Sequence, residues 1–136
     1  TDEIAGFFNV AQPALPHLRL TKGSIVAITT AATQRFPIRD GLSAAGKGAV
    51  EQLCWGLAVE EGRFGIRVNC VTPAAVKTAI FDQMTQSHID FMLSKIPLGR
   101  FGLVEEIAAM VAWLSSEDCS FSTGAVFDLS GGRAVY

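Results

Sequence analysis

The strongest constraint on the fold is one long helical pattern between two short apolar runs. Residues 42–61 place apolar side chains at the spacing of a single helix face: Val50, Leu53, Cys54, Leu57 and Ala58. Residues 24–29 (SIVAIT) and 66–71 (IRVNCV) flank this pattern. Such short, β-branched runs are typical of parallel strands that are covered on both faces. A strand, a helix and a strand of these lengths indicate a right-handed crossover in a parallel sheet.

The rest of the chain extends this alternation. A leading helix is predicted over residues 2–20, buried on two sides, with its last turn distorted or shortened by Pro13 and Pro16. The other predicted elements are a loop over 30–40, a loop over 72–78 opened by Pro73, short helices over 79–95, a helix over 105–116 and a strand over 125–129. We therefore expect residues 1–136 to form a single α/β domain with a three-layer parallel sheet and helices on both faces.

Composition narrows the possible functions. The chain has 136 residues, of which 49% are hydrophobic and 18% charged, so it can bury a core. A net charge of −2 gives no electrostatic footprint for nucleic acid or an anionic membrane surface. The acidic start does not resemble a signal peptide, and no apolar run approaches the roughly 18 residues of a membrane span.

The cysteines and histidines indicate no metal site. Cys54, Cys70 and Cys119 are odd in number and lack a CxxC spacing, so we interpret them as inert core thiols in a reducing, cytoplasmic compartment. His17 and His88 have no neighbouring ligand pattern.

Ser43 and Lys47 stand four residues apart at the start of the central helix, on one face. They are either an active hydroxyl–ammonium pair, or a helix cap beside a solvated lysine. Spacing alone favours the second interpretation, because such pairs are common on helices. The spacing excludes an SxxK nucleophile, and the missing second glycine excludes a nucleophile elbow.

Five segments, in order and spacing, resemble the short-chain dehydrogenase/reductase family. They read SIVAITT, GLSAAGKGAVEQL, GIRVNCVTPAAVKTA, PLGRFGLVEEIAAMVAWLSS and STGAVFDLSGG. The resemblance covers the whole chain. It implies a Rossmann-like fold and NAD(P)(H)-dependent hydride transfer between a small-molecule hydroxyl or carbonyl group and a nicotinamide cofactor, either NAD or NADP.

The resemblance also assigns catalytic positions. The family's lysine corresponds to Lys47, its tyrosine to Ser43, its serine to Thr30, and its active-site asparagine to Glu3. This implies that Lys47 holds the cofactor ribose, that Thr30 holds the substrate oxygen, and that Ser43 replaces the acid. A serine hydroxyl is a far weaker acid than a phenol with a pKa near 10, and its side chain is shorter.

The loop after the second strand resembles the family segment that walls the nicotinamide. The resemblance implies that Pro73, Ala74, Val76 and Thr78 bind the cofactor together with Lys47. Ala74 stands where the family has glycine, so its methyl group is expected to narrow the binding site of the nicotinamide ring. Residues 79–95 resemble the family's variable substrate lid, and their apolar side chains suggest an apolar pocket.

The N-terminal part of the family fold has no counterpart in this sequence. There is no GxGxxG phosphate loop and no ribose-binding acidic residue after it. The strand SIVAIT would then expose an apolar edge. We therefore predict that the natural polypeptide is longer, or that another strand pairs with this edge.

A second hypothesis belongs to a different class. The chain is then a pseudo-enzyme or an assembly subunit that keeps the fold for its surfaces. The resemblance implies a homo-oligomer that forms through the helices 2–20 and 42–61, and Trp55 is a typical interface anchor.

Overall fold

The computed structural model describes residues 2–136, in which a three-stranded parallel sheet lies between two layers of helices. The helices are α1 Asp2–Thr21, α2 Gly41–Glu61, α3 Gln86–Ser94 and α4 Val104–Ser115. The strands are β1 Ser24–Ile28, β2 Arg67–Pro73 and β3 Val126–Leu129. Single turns of 3₁₀ helix lie at Ala31–Thr33, Gly62–Phe64, Ala79–Gln83 and Arg133–Val135. The predicted order of elements and the Rossmann-like α/β architecture are confirmed.

Strand β2 lies between β1 and β3 and pairs in parallel with both. Ser24 of β1 is opposite Arg67, and Ile28 is opposite Val71. Strand β2 begins one residue later than predicted and ends two residues later, because Thr72 and Pro73 still pair with β3. Pro73 is tolerated there since it is the last residue of the strand.

The sheet separates two hydrophobic cores. Helices α1 and α2 cover one face, where the buried cluster contains Ala27, Val50, Cys54, Ala58, Ile66, Val68 and Cys70. Helix α4 covers the other face, where Val71, Leu114 and Cys119 are buried. Alternate residues of each strand therefore enter opposite cores, as expected for a strand covered on both faces. Cys54, Cys70 and Cys119 are free and buried, as predicted.

Helix α1 differs from the prediction in two respects. It continues past Pro13 and Pro16 to Thr21 without ending early. Both prolines lie on its exposed side, where solvent can satisfy the carbonyl groups that lose a helical partner. The helix is also buried on one side only, since Phe8 and Val10 are exposed. A second partner for this side is not found within residues 2–136.

Strand β1 forms an edge of the described sheet, as the sequence predicted for a chain without a preceding strand. Ile28, at its end, keeps 49% of its surface exposed. The backbone groups along the outer side of β1 have no strand partner within residues 2–136. Such an edge is a template for pairing with another strand. None of the helices described is both long and apolar enough to cross a membrane.

An ion pair fastens α1 to the end of α2. The Arg19 guanidinium donates two hydrogen bonds to the Glu61 carboxylate, both 2.7 Å long, and also stacks over the Phe64 ring. These hydrogen bonds hold the pKa of the buried Glu61 carboxyl below its ordinary value. A lowered folded-state pKa means that the pair stabilises the fold above the unfolded pKa, and that this contribution disappears as pH falls through the folded pKa.

Replacing Arg19 should therefore cost stability in a pH-dependent way. We expect Arg19→Gln to lower the midpoint of thermal unfolding near pH 7, and to lower it less near pH 3, because pH 3 lies below the ordinary pKa of a glutamate and the stabilisation by the ion pair falls there. Circular dichroism melts of both proteins at the two pH values measure this. Arg35→Gln, at an exposed arginine, is the control. An equal loss at both pH values would contradict an ion-pair origin.

Candidate functional site

The candidate site forms at the edge of the sheet where the strands have their carboxyl ends. Helix α2 runs back along the sheet from this edge, so Ser43 and Lys47 in its first turns return to the end of β1, where Thr30 lies. Pro73 ends the neighbouring strand β2 at the same edge. The topology thus places the carboxyl ends of β1 and β2 and the start of α2 at the same edge of the sheet. Ligands of open α/β sheets generally bind at this edge.

Thr30 has extended backbone geometry and caps the short turn Ala31–Thr33. Its Oγ1 accepts a hydrogen bond of 3.2 Å from the amide of Ala32. A hydroxyl group has one hydrogen to donate. Within residues 2–136 no acceptor takes the hydrogen of Thr30, so this half-buried side chain can donate to a ligand oxygen.

A buried carboxylate holds the turn that carries Thr30. Glu51 of α2, one helical turn beyond Lys47, is 7% exposed. Its Oε1 accepts hydrogen bonds from Thr29 Oγ1 at 2.6 Å and from Thr33 Oγ1 at 3.0 Å. Glu51 was not predicted as a site residue, since its partners lie 22 and 18 residues away along the chain. The one available signal was a glutamate beside the apolar stripe of α2.

Lys47 forms an ion pair with Glu3 of α1, with 2.6 Å between Nζ and Oε1. The two side chains are 31% and 39% exposed. Lys47 is therefore a partly exposed residue held in an ion pair between α1 and α2. Glu3 occupies the position that the resemblance gives to the family's asparagine, and its contact with Lys47 was not predicted from the sequence. A carboxylate at this distance partly neutralises the field of the ammonium group.

Ser43 is exposed and is the third residue of α2. The prediction that it caps the helix is wrong, because the helix begins at Gly41 and the capping position falls on Asp40. The amide of Ala44 already donates to the carbonyl of Asp40, so the first helical bond forms around Ser43. Ser43 is exposed, and its hydroxyl makes no hydrogen bond among the described residues.

The loop after β2 is fixed by a short bridge to Gly102. The amide of Lys77 donates to the Gly102 carbonyl at 2.8 Å, and the Gly102 amide donates to the Ala75 carbonyl at 3.0 Å. In a parallel bridge these bonds come from the residues that flank Val76. The amide and carbonyl groups of Val76 itself therefore face away from Gly102. Ala74 is half-buried and Thr78 is exposed.

A cavity of about 450 Å³ lies beyond this loop, at the ends of β2 and β3. Among the predicted site residues it is lined by Val76, whereas Thr30, Ser43 and Lys47 lie outside it. Arg100 and Glu106 both line this cavity. The Arg100 guanidinium donates two hydrogen bonds, 3.0 and 2.6 Å long, to the Glu106 carboxylate. The hydrogen bonds from Arg100, followed by the bond from the Leu103 amide, lower the pKa of Glu106 to about 2. This ion pair links the two ends of residues 100–106, and Gly102 within this segment bonds to the residues on either side of Val76.

The polar groups at this edge of the sheet are of the types that bind the nicotinamide and ribose end of a nicotinamide cofactor. An ammonium group such as that of Lys47 donates to ribose hydroxyls, and a free backbone amide and carbonyl such as those of Val76 complement a carboxamide. The pyrophosphate normally lies at a glycine-rich turn before a helix. The sequence contains no such GxGxxG turn. This chain therefore holds candidate groups for the nicotinamide and ribose end alone.

Comparison with characterised proteins gives relatives over nearly the whole chain. The 2-dehydro-3-deoxy-L-rhamnonate dehydrogenase (NAD(+)) of a Sphingomonas species is 42% identical over 114 residues, which cover 84% of this chain and 46% of that enzyme. The meso-2,3-butanediol dehydrogenase of Serratia marcescens is 37% identical over 98% of this chain and 53% of its own length. The chain spans about half the length of the curated relatives it matches.

Solved structures show the same relation. A short-chain type dehydrogenase/reductase from Mycobacterium ulcerans superposes with a TM-score of 0.89 at 28% identity, over 98% of this chain and 50% of that one. A gluconate 5-dehydrogenase from Burkholderia cenocepacia, in complex with NADP and tartrate, superposes with a TM-score of 0.91 at 26% identity, over 98% and 54%. A family model described as enoyl-(acyl carrier protein) reductase matches residues 3–134. The chain therefore belongs to the short-chain dehydrogenase/reductase family.

Proposed function

We propose that this chain forms the substrate side of an NAD(P)(H)-dependent oxidoreductase that interconverts a hydroxyl and a carbonyl group. The observation that carries the proposal is the Thr30 hydroxyl. One lone pair of its oxygen accepts a hydrogen bond from the Ala32 amide, and its hydrogen is left for a ligand at the carboxyl end of β1. Relatives with dehydrogenase activity, one of them solved with NADP, support the reaction class.

In this proposal, bound nicotinamide supplies or accepts the hydride at the substrate carbon. The residues of the chain hold the reactants around that carbon. Thr30 donates its hydroxyl hydrogen to the substrate oxygen, which stabilises the negative charge that grows there during reduction. Lys47 binds the ribose through its ammonium group, and Val76 orients the carboxamide through its backbone. Pro73, Ala74 and Thr78 complete the wall of the ring's site.

Proton transfer is the weak step of this site. The substrate oxygen must gain a proton during reduction, and Ser43 is the hydroxyl at the family's acid position. A serine hydroxyl is a poor acid, and Glu3 competes for the charge of the ammonium group that would assist it. Loss of a positioned acid removes on the order of 10²–10⁴ in rate. We therefore expect slow turnover.

The substrate proposed is a small molecule with an apolar portion. Phe81 of the lid stacks on Phe101 with 4.5 Å between ring centroids, and Phe91 of α3 is exposed. These rings make the proposed lid and its neighbourhood apolar.

The three buried free thiols support a reducing, cytoplasmic location for the protein.

Removing the Thr30 hydroxyl tests the substrate contact. We expect Thr30→Val, which keeps the shape, to lower kcat/KM by about 10²–10³, as removal of one oxyanion donor does. Thr30→Ser keeps the donor and should retain most of the activity. Oxidation of reduced cofactor by the purified full-length protein, measured against a panel of carbonyl compounds, gives these values. Absence of turnover across the panel would overturn the proposed function, and equal activity of the two variants would overturn the role of Thr30.

Restoring a phenol at position 43 tests the proton step. Ser43 is exposed, so a larger side chain fits there without disturbing the core. We expect Ser43→Tyr to raise kcat by at least about 10², because a positioned acid of suitable pKa is regained. Ser43→Phe is the matched control, since it has the same ring without the acidic hydroxyl. A rise in kcat for both variants, or for neither, would contradict proton transfer as the weak step.

A second proposal concerns assembly, whether or not the protein is catalytic. We propose a homo-oligomer that forms through the exposed apolar sides of α1 and α2. These sides carry Phe8, Val10, Trp55 and Val59. Isolated apolar residues on a surface are ordinary, whereas adjacent helices with exposed aromatic side chains favour an interface. The same surface would serve a catalytically impaired subunit that keeps the fold for its contacts.

Light scattering after size-exclusion chromatography tests this interface. We expect Trp55→Ala to lower the molar mass of the assembly at a given concentration, since a buried aromatic anchor is lost. Trp113→Ala is the matched control, because Trp113 on α4 is 42% exposed compared with 40% for Trp55. A monomeric wild-type protein, or an unchanged assembly in Trp55→Ala, would contradict the proposal.

A further inference from the structure

We infer that Glu51 is a positioning residue, which sets the place of the Thr30 hydroxyl relative to Lys47. The inference rests on the proposed function, because it assigns a role to Glu51 in the same site. Glu51 itself touches neither of the proposed reactive groups. Its contacts are with Thr29 and Thr33, the residues on either side of the turn that Thr30 begins.

The hydrogen bonds of this turn converge on Thr30. The Thr30 carbonyl accepts from the amide of Thr33 at 3.2 Å and from Thr33 Oγ1 at 2.9 Å. The Thr30 Oγ1 accepts from the Ala32 amide. The Thr33 hydroxyl has one hydrogen, and this hydrogen is shared between the Thr30 carbonyl at 2.9 Å and Glu51 Oε1 at 3.0 Å. Any movement of the Glu51 carboxylate is passed through Thr33 to the backbone of Thr30.

The other side of the turn is anchored to the sheet. The Thr29 amide donates to the Val71 carbonyl of β2 at 2.9 Å, while the Thr29 hydroxyl donates to Glu51. Thr29 is 4% exposed, so this contact is sealed from solvent. Glu51 thereby joins two parts of the site. One is the turn at the end of β1, and the other is helix α2, which carries Ser43 and Lys47 in the preceding two turns.

The packing of α2 against the turn supports this joint. Helix α2 contacts the turn, and its Gly48 side, next to Lys47, faces Thr33, since a Cβ atom added at Gly48 would lie 3.9 Å from Thr33 Cγ2. Packing alone permits sliding between apolar groups. The 2.6 Å hydrogen bond from the Thr29 hydroxyl to Glu51 Oε1, together with the shared hydrogen of Thr33 at 3.0 Å, fixes the direction as well as the distance. The carboxylate is therefore the group that fixes the turn on the helix.

Glu51→Leu removes the hydrogen bonds between the turn and α2 and puts an apolar side chain of similar size in their place. Glu51→Gln keeps an acceptor oxygen. A misplacement of about 1 Å at a reacting group costs about 10²-fold in rate, so we expect kcat of Glu51→Leu to fall by about 10- to 10²-fold with a smaller change in KM. Glu51→Gln should recover most of the loss. Equal losses in the two variants would overturn the inference.

A double-mutant cycle separates positioning from general stability. If Glu51 acts through Thr30, then Glu51→Leu should lower kcat little further in a protein that already carries Thr30→Val. Additive losses would overturn the inference, because they would show that Glu51 acts elsewhere in the molecule. Thermal unfolding of each variant, measured in parallel, identifies the temperature at which all four proteins are folded.

Amide hydrogen exchange provides a readout that does not require turnover. We expect the amides of Ala32, Thr33 and Gln34 to exchange at least about 10-fold faster in Glu51→Leu than in the wild type, and to be restored in Glu51→Gln. The amides of β2 serve as the internal reference. Unchanged exchange in the turn would overturn the positioning role. A wild-type protein without turnover would overturn the proposed function instead, and the exchange data would still decide whether Glu51 holds the turn.

Discussion

The rest of the structure depends on the burial of strand β2. It has a hydrogen-bonded neighbour on each edge and a helical layer on each face, and Val68, Cys70 and Val71 have no exposed surface. A strand in this position cannot shift by one residue without moving every side chain to the wrong core. The register of β2 therefore determines where β1 ends. It also determines that Thr30 and Pro73 reach the same edge of the sheet.

The sequence was sufficient to predict the order of elements, because the spacing of apolar residues in α2 and the two short apolar runs each fit one kind of structure. The positions of Thr30, Ser43 and Lys47 followed from a family resemblance. What could not be predicted were the contacts between distant polar side chains. The partners of Glu51 and Lys47 are separated from them by 18 to 44 residues, and periodicity carries no information about such pairs. The prolines of α1 misled for a related reason, since their cost depends on which side of the helix faces solvent.

The charges around Lys47 show a compromise between structure and chemistry. An ammonium group at the start of α2 is useful to a ligand with hydroxyl groups when it is unpaired. Here Glu3 draws the same ammonium group into a contact between α1 and α2. The contact is partly exposed, so it adds little to stability and remains open to competition from a ligand. The ammonium group of Lys47 thus serves both the contact between α1 and α2 and the candidate ribose site.

The three buried thiols can report when the helical layers separate from the sheet. Cys54 and Cys70 belong to the core under α1 and α2, whereas Cys119 belongs to the core under α4. A thiol-modifying reagent reaches such groups only when the surrounding layer separates from the sheet. Labelling rates resolved by residue would therefore compare the opening of the two layers within one polypeptide. Simultaneous labelling would identify the sheet and both layers as one cooperative unit, and earlier labelling of Cys119 would identify α4 as the layer that opens first.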